Sequence, residues 1–238
     1  MRCFTVLGPS QSGKTTLVKA LAEIEGRSDI SSFSDRLSVR TFDYLGEEWS
    51  ALDVTGGADN LACAGHALAA SDSVVLCVSP DPDAAPQAAS YLRLIEESGV
   101  PCYLFINRMD TAEGRVRDTV SALQNYAGHA LVLRQVPMRE GDEVTGVVDL
   151  ISERAWAYQE GQPSNLVEIP DAVRDREQEA RTELLEHLAD FNDDLLEQLI
   201  EDKTPPTDEV FALLADIHKR NELIPAYLGS ASLSASRS

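Results

Sequence analysis

Long apolar runs are missing from this chain: no stretch of about 18 uncharged apolar residues occurs, so no membrane-spanning helix is expected. The amino end runs straight into Arg2-Cys3-Phe4-Thr5-Val6-Leu7 with no signal-peptide layout, and the expectation is a cytoplasmic protein. Cysteine is scarce. Cys3, Cys63, Cys77 and Cys102 are widely spaced with no Cys-x-x-Cys pair, and three lie in or beside apolar runs, which reads as buried thiols rather than zinc ligands or disulfides. His66, His129, His187 and His218 show no ligand spacing either. Positive charge is short: 20 Lys and Arg face 40 Asp and Glu, a net −20 that repels bare nucleic acid and argues against direct sequence-specific nucleic-acid binding. Much of the acidic excess falls in Asp171 to Glu179 and Asp190 to Asp202, either a solvated helix face or a docking surface for a basic partner.

What remains is an ordinary globular composition, 43% apolar and 25% charged over 238 residues, enough for one or two domains. Short apolar runs at Cys3 to Leu7, Ser73 to Ser79 and Pro101 to Asn107 alternate with helix-like segments. This alternation predicts an α/β fold with a mostly parallel sheet and flanking helices. Thr16 to Ile24 reads as the first helix with Leu17, Leu21 and Ile24 on one stripe, and Gln87 to Glu97 as another. Val39 to Tyr44 and Glu48 to Val54 flank Leu45-Gly46-Glu47 as a hairpin, whereas Glu25 to Ser38 reads as a mobile polar loop. After about Ala130 the pattern changes. Strands are expected over Leu131 to Gln135 and Thr145 to Asp149, followed by a polar stretch from Glu160 to Glu168. A long helical region comes next, with Leu184, Leu188, Phe191, Leu195 and Leu199 on one buried face, stopped by Pro205-Pro206. A helix over Val210 to Ile217 and a strand over Leu223 to Leu228 complete the order. The reading divides the chain into a P-loop domain over 1–130 and 214–231, an inserted α+β subdomain over 131–213, and a disordered tail over 232–238.

Gly8-Pro9-Ser10-Gln11-Ser12-Gly13-Lys14-Thr15 has the spacing of a phosphate-binding P-loop, after an apolar strand and before a helix. Glycines let the backbone close around phosphates, the helix start adds partial positive charge, Lys14 adds a full one, and the Thr15 hydroxyl suits magnesium. Asn107-Arg108-Met109-Asp110 stands at a strand end about 90 residues later. It resembles the guanine motif Asn-Lys-x-Asp, in which the carboxylate accepts from the N1-H and exocyclic amine of guanine, a donor pair adenine lacks.

Together with these motifs, further landmarks are similar to the GTP-binding domain of bacterial elongation factor G and the subdomain inserted in it. Leu52-Asp53-Val54-Thr55-Gly56-Gly57-Ala58-Asp59 occupies the place of Ile-Asp-Thr-Pro-Gly-His-Val-Asp, with Leu68 and Asp72 continuing the match. Gly146-Val147-Val148-Asp149-Leu150, Glu168-Ile169-Pro170 and Asp193 to Glu197 resemble successive parts of the insertion, and Gly229-Ser230-Ala231 resembles the family's Gly-Ser-Ala. The resemblance implies GTP or GDP with Mg2+ as ligands. Gly8, Gln11, Ser12, Gly13, Lys14, Thr15 and Thr16 would hold phosphate, while Asn107, Arg108, Asp110, Gly229, Ser230 and Ala231 would hold the base. Thr15 and Asp53 would hold the metal, Lys14 and Gly56 would serve hydrolysis, and the ribosome, through its stalk protein, would be the partner.

The chain leaves the family pattern at the hydrolytic histidine, which aligns with Gly57; a glycine orients no water. The switch segment with its Arg-Gly-Ile-Thr motif is absent between the first helix and Val39, leaving Ser34 or Asp35 as the nearest groups that could reach the metal. His66 lies on an apparent helix as a surface or packing residue. Two readings follow from these departures, a slow GTPase and a guanine-nucleotide-dependent binding module without hydrolysis.

Overall fold

The computed structural model describes residues 2–24, 28–159 and 162–231, so the expected tail over 232–238 lies outside the described residues. In chain order the elements are β1 (Arg2–Leu7), α1 (Lys14–Ala22), β2 (Ser28–Ser34), β3 (Leu37–Tyr44), β4 (Glu47–Val54), α2 (Leu61–Ala69), β5 (Ser73–Val78), α3 (Ala89–Ser98), β6 (Cys102–Ile106), α4 (Val116–Gln124) and β7 (Ala130–Leu133). Then come β8 (Gln135–Glu140), β9 (Glu143–Asp149), β10 (Arg154–Gln159), β11 (Gln162–Val167), α5 (Asp171–Ala189), α6 (Asp193–Ile200), α7 (Thr207–Lys219) and β12 (Leu223–Leu228).

Two sheets result. The larger has eight strands in the order β2-β3-β4-β1-β5-β6-β12-β7, and only the β2-β3-β4 edge is antiparallel. The smaller is a four-stranded antiparallel sheet, β11-β10-β9-β8. Parallel strands covered on both faces need continuous apolar runs, and β1, β5 and β6 supply them. One face of the large sheet packs Leu52, Val54, Leu76 and Leu104 against Leu68 of α2, Leu92 and Ile95 of α3, and Leu123 of α4. The other face packs Phe4, Val6 and Phe42 against Leu17 and Val18 of α1. A third cluster joins Val148 and Leu150 of the small sheet region to Leu184 and Leu188 of α5 and Ile217 of α7.

Several expectations are corrected. The segment read as a mobile loop contains strand β2, paired antiparallel with β3 from Ser28↔Phe42 to Ser34↔Leu37. The strand expected over Leu131–Gln135 divides: β7 ends the large sheet beside β12, and β8 opens the small one. The polar stretch after Gln159 includes β11, which pairs with β10. α1 stops at Ala22, and Ile24 is 55% exposed rather than on the buried stripe. The single long helix is two, because Asn192 caps a new one by accepting from the Leu195 N-H at 2.8 Å; Phe191, left in the junction, is 37% exposed. The β3-β4 hairpin stands as expected, with Leu45 and Gly46 both at positive φ (51° and 75°), the geometry a two-residue hairpin turn requires. Cys77 and Cys102 are buried thiols, pushed by burial up to about 11 and about 12, whereas Cys3 and Cys63 are only half-buried.

His218 of α7 is buried against β6. Its ring lies 4.2 Å from that of Tyr103, and its Nε2 is 3.0 Å from the Cys102 carbonyl oxygen. Burial lowers its pKa. The unfolded chain therefore binds a proton below about pH 6.5 that the folded one resists, and stability falls as pH drops from there to the folded value. Urea midpoints at pH 7.5 and 5.5 should separate for the native protein, and the separation should shrink in His218→Phe. An equal separation in both would refute this assignment.

Candidate nucleotide-binding site

The carboxyl ends of β1, β4, β5, β6 and β12 open on one side of the large sheet, the side where open α/β sheets bind ligands. β1 is followed there by the phosphate loop. Gly8 has φ 143°, and a Cβ on it would lie 2.1 Å from the Cys77 carbonyl oxygen of β5. Gly13 has φ 90° and a Cβ there would fall 2.2 Å from Asn107 Nδ2, so both positions exclude side chains on two grounds. Lys14, 6% exposed, folds over the loop and donates to the carbonyls of Gly8 (3.0 Å) and Pro9 (2.7 Å). Burial lowers its pKa, the opposite of what phosphate oxygens would do to it.

The parallel register Val6↔Asp53 brings the end of β4 beside this loop. Thr15 Oγ1 donates to Asp53 Oδ2 at 2.6 Å, and Asp53 Oδ1 is buried with no partner among the described residues. A buried carboxylate oxygen left unpaired costs about 1–3 kcal/mol or more, and a hydrated cation would satisfy it. Among the described residues no three His, Cys, Asp or Glu side chains gather into a metal cage. One hydroxyl and one carboxylate suit Mg2+, which takes its other ligands from phosphate and water. A Cβ on Gly56 would lie 2.7 Å from Ser10 N and 2.8 Å from Lys14 Nζ, so the chain after β4 touches the phosphate loop directly.

The other side of the cleft is assembled by adjacency of β6 and β12. Asn107, 2% exposed, donates from Nδ2 to the Ser12 carbonyl at 2.9 Å and accepts at Oδ1 from the Ala231 N-H at 3.0 Å. Ser230 Oγ hydrogen-bonds Asp110 Oδ1. Met109 N-H donates to Gly229 O and Gly229 N-H to Ile106 O, both at 3.1 Å. Arg108 adopts φ 61°, which carries the chain out of β6 and sets Asp110 beside Ser230. The sequence-picked residues from Gly8 to Thr16, Asp53 and Gly56, Asn107 to Asp110, and Gly229 to Ala231 thus follow the same ends of neighbouring strands.

Ser34 and Asp35 are drawn in differently. Ser34 ends β2 and Asp35 opens the β2-β3 turn, where its carbonyl accepts from Thr55 Oγ1 at 3.2 Å. Gly57, at φ 123°, donates its N-H to Tyr91 Oη at 2.8 Å and presents no side chain. His66 stays exposed on α2 with Nδ1 2.9 Å from the Ala62 carbonyl. Three neighbours of the site carried no signal in the sequence. Cys77 donates its thiol to the Ser12 carbonyl at 3.3 Å, Tyr91 holds Gly57, and Tyr158 comes from the small sheet. The Tyr158 hydroxyl is buried without a partner among the described residues, in a cavity of about 230 Å³ shared with Leu17, Phe105, Ser230 and Ala231.

The chain is 29% identical to an elongation factor G-like protein of Synechocystis, with 97% of this chain and 37% of that protein covered. It is 25% identical to elongation factor G of Fervidobacterium nodosum, over 98% of this chain and 37% of that one. It therefore spans little more than a third of these relatives. A crystal structure from Thermus thermophilus superposes with a TM-score of 0.81 at 24% identity, over 98% of this chain and 38% of that one, a likeness of fold. The model of the elongation factor Tu GTP binding domain matches residues 30–234, most of the chain, and on that match the protein belongs to the family of elongation factor Tu GTP-binding domains.

Proposed function

We propose that the cleft binds GTP and GDP with Mg2+ and that the chain is the GTP-binding domain of an elongation factor G-like translational GTPase, working in the cytoplasm on the ribosome in translocation or disassembly. The observation that carries this reading is Asn107, whose amide ties the phosphate loop to the Gly229-Ser230-Ala231 turn and so sets Asp110 and the phosphate grip in one frame. Lys14 would leave the carbonyls of Gly8 and Pro9 for phosphate oxygens. Thr15 and Asp53 would hold the metal, which supplies charge neutralisation of the terminal phosphates. Asp110 would accept from the guanine N1-H and amine, with the Ala231 and Ser230 turn on the O6 side.

Hydrolysis is expected to be weak. Water must be oriented for in-line attack, and Gly57 brings no group to do so. That observation also supports the second reading, a guanine-nucleotide-dependent binding module without turnover. We further assign residues 131–213, apart from the β7 residues, to an insertion whose acidic helices, Asp190 to Asp202 above all, face a basic surface of a partner on the ribosome. Calorimetry with GDP, GTP and ATP, with and without Mg2+, tests the ligand; ATP binding as tight as GTP binding would overturn the guanine assignment. Single-turnover hydrolysis with and without ribosomes separates the two readings. A rate that rises on ribosomes favours the enzyme, and no turnover in either condition favours the module.

A further inference from the structure

The β2-β3 hairpin follows α1, and its turn is held by hydrogen bonds to the main chain of Asp35 and Arg36. Arg36 N-H donates to Ser34 Oγ at 3.2 Å, Thr55 N-H donates to the Arg36 carbonyl at 2.9 Å, and Thr55 Oγ1 donates to the Asp35 carbonyl at 3.2 Å. These bonds carry the β3-β4 ladder one step past its last pair, Leu37↔Val54, so that Arg36 stands opposite Thr55.

Arg36 is a turn residue, and the alternation of β3 extended one step through its bond to Thr55 gives the face it takes. Leu37, Val39, Leu52 and Val54 pack together on the α2 side of the sheet. Ser38 is paired with Asp53, whose carboxylate points the other way and accepts from Thr15. Arg36, two residues before Ser38, shares the Asp53 face, and its partner Thr55 is followed at once by Gly56, the residue in contact with Lys14 and Ser10. Arg36 is exposed, and no hydrogen bond or ion pair engages its guanidinium among the described residues. An exposed guanidinium is thus carried by a hydrogen-bonded turn, on the Asp53 face of the sheet, opposite the residue that precedes Gly56.

We infer that Arg36 is a γ-phosphate contact, presented by the β2-β3 turn so that the protein tells GTP from GDP with a fixed arginine in place of a mobile switch segment. The inference rests on the guanine-nucleotide reading above. A guanidinium carries a permanent charge and paired donors that suit phosphate oxygens, and a direct contact to the third phosphate is lost when only two are present.

The test is binding of GDP and of a non-hydrolysable GTP analogue to the native protein, Arg36→Ala and Arg36→Lys, with thermal melting of each. Arg36→Ala should lose about 10- to 100-fold in affinity for the triphosphate, the range for one charge-assisted contact, while GDP affinity moves less than about twofold. Arg36→Lys should recover part of the loss. Equal loss for both nucleotides would mark a structural role of the turn, and no loss for either would show that the guanidinium touches no phosphate; each overturns the assignment. If the native protein bound neither nucleotide, the reading beneath this one would fall first, and the GDP measurement shows which has failed.

Discussion

Asp110→Asn should weaken GDP binding by roughly two to four orders of magnitude and raise the affinity for xanthosine diphosphate. A carboxylate accepts from both the N1-H and the exocyclic amine of guanine, and each such bond to a charged acceptor is worth about 1.5–3 kcal/mol. An amide keeps one acceptor and turns the other group into a donor aimed at a donor, so one bond is lost and one clash gained. Xanthine carries a carbonyl where guanine carries the amine, and it restores the match. The fold should survive, because an Asn oxygen still accepts from Ser230 Oγ, the contact Asp110 makes in the native protein. Calorimetric titration with the two diphosphates reads the exchange directly. An unchanged GDP to XDP ratio would remove Asp110 from the base pocket.

Lys14→Ala should cost at least about 100-fold in affinity for GDP and GTP alike. Lys14 is the buried cation of the phosphate loop, and a charge-assisted bond to phosphate in a partly desolvated site is worth several kcal/mol. Its removal also strips the buried carbonyl of Gly8 and the part-buried carbonyl of Pro9 of their donor, so stability should fall by about 1–3 kcal/mol. Lys14→Arg should not rescue binding. The Nζ position is already hemmed in by Gly56, where even a Cβ would come within 2.8 Å, and a planar guanidinium needs more room. Displacement of a fluorescent GDP analogue measures both variants; affinities within threefold of the native protein would refute the assignment of Lys14 to the phosphates.

Read from sequence alone, the loops after β1 and β6 were legible because each is local: a few residues at the end of an apolar strand carry the backbone geometry. The parallel core was legible for a related reason, since β1, β5 and β6 are buried on both faces and are written as continuous apolar runs. β2 was not. Its sequence, Ser-Asp-Ile-Ser-Ser-Phe-Ser, is an exposed edge strand whose order comes from pairing with β3, a tertiary cause that composition does not record. β11 was hidden in the same way, as a polar segment made extended by its neighbour β10. The break between α5 and α6 was written in the sequence as Asn192 followed by Asp193-Asp194, a capping signal that the leucine spacing outweighed. Tyr91 and Tyr158 reach the site from distant segments, and only the folded chain shows that they do.

The two bonds of the Asn107 amide also have a consequence in time. They join residue 12 to residue 231, spans of 95 and 124 residues on either side of the asparagine. During synthesis the phosphate loop emerges well before β12, the last of the described strands, and the bond from Ala231 to Asn107 forms only after that strand is made. A nascent chain halted before that strand would possess the fingerprint of the site without its grip. On the proposed function, nucleotide capture would wait until β12 has joined β6, and it would report that this pairing has formed.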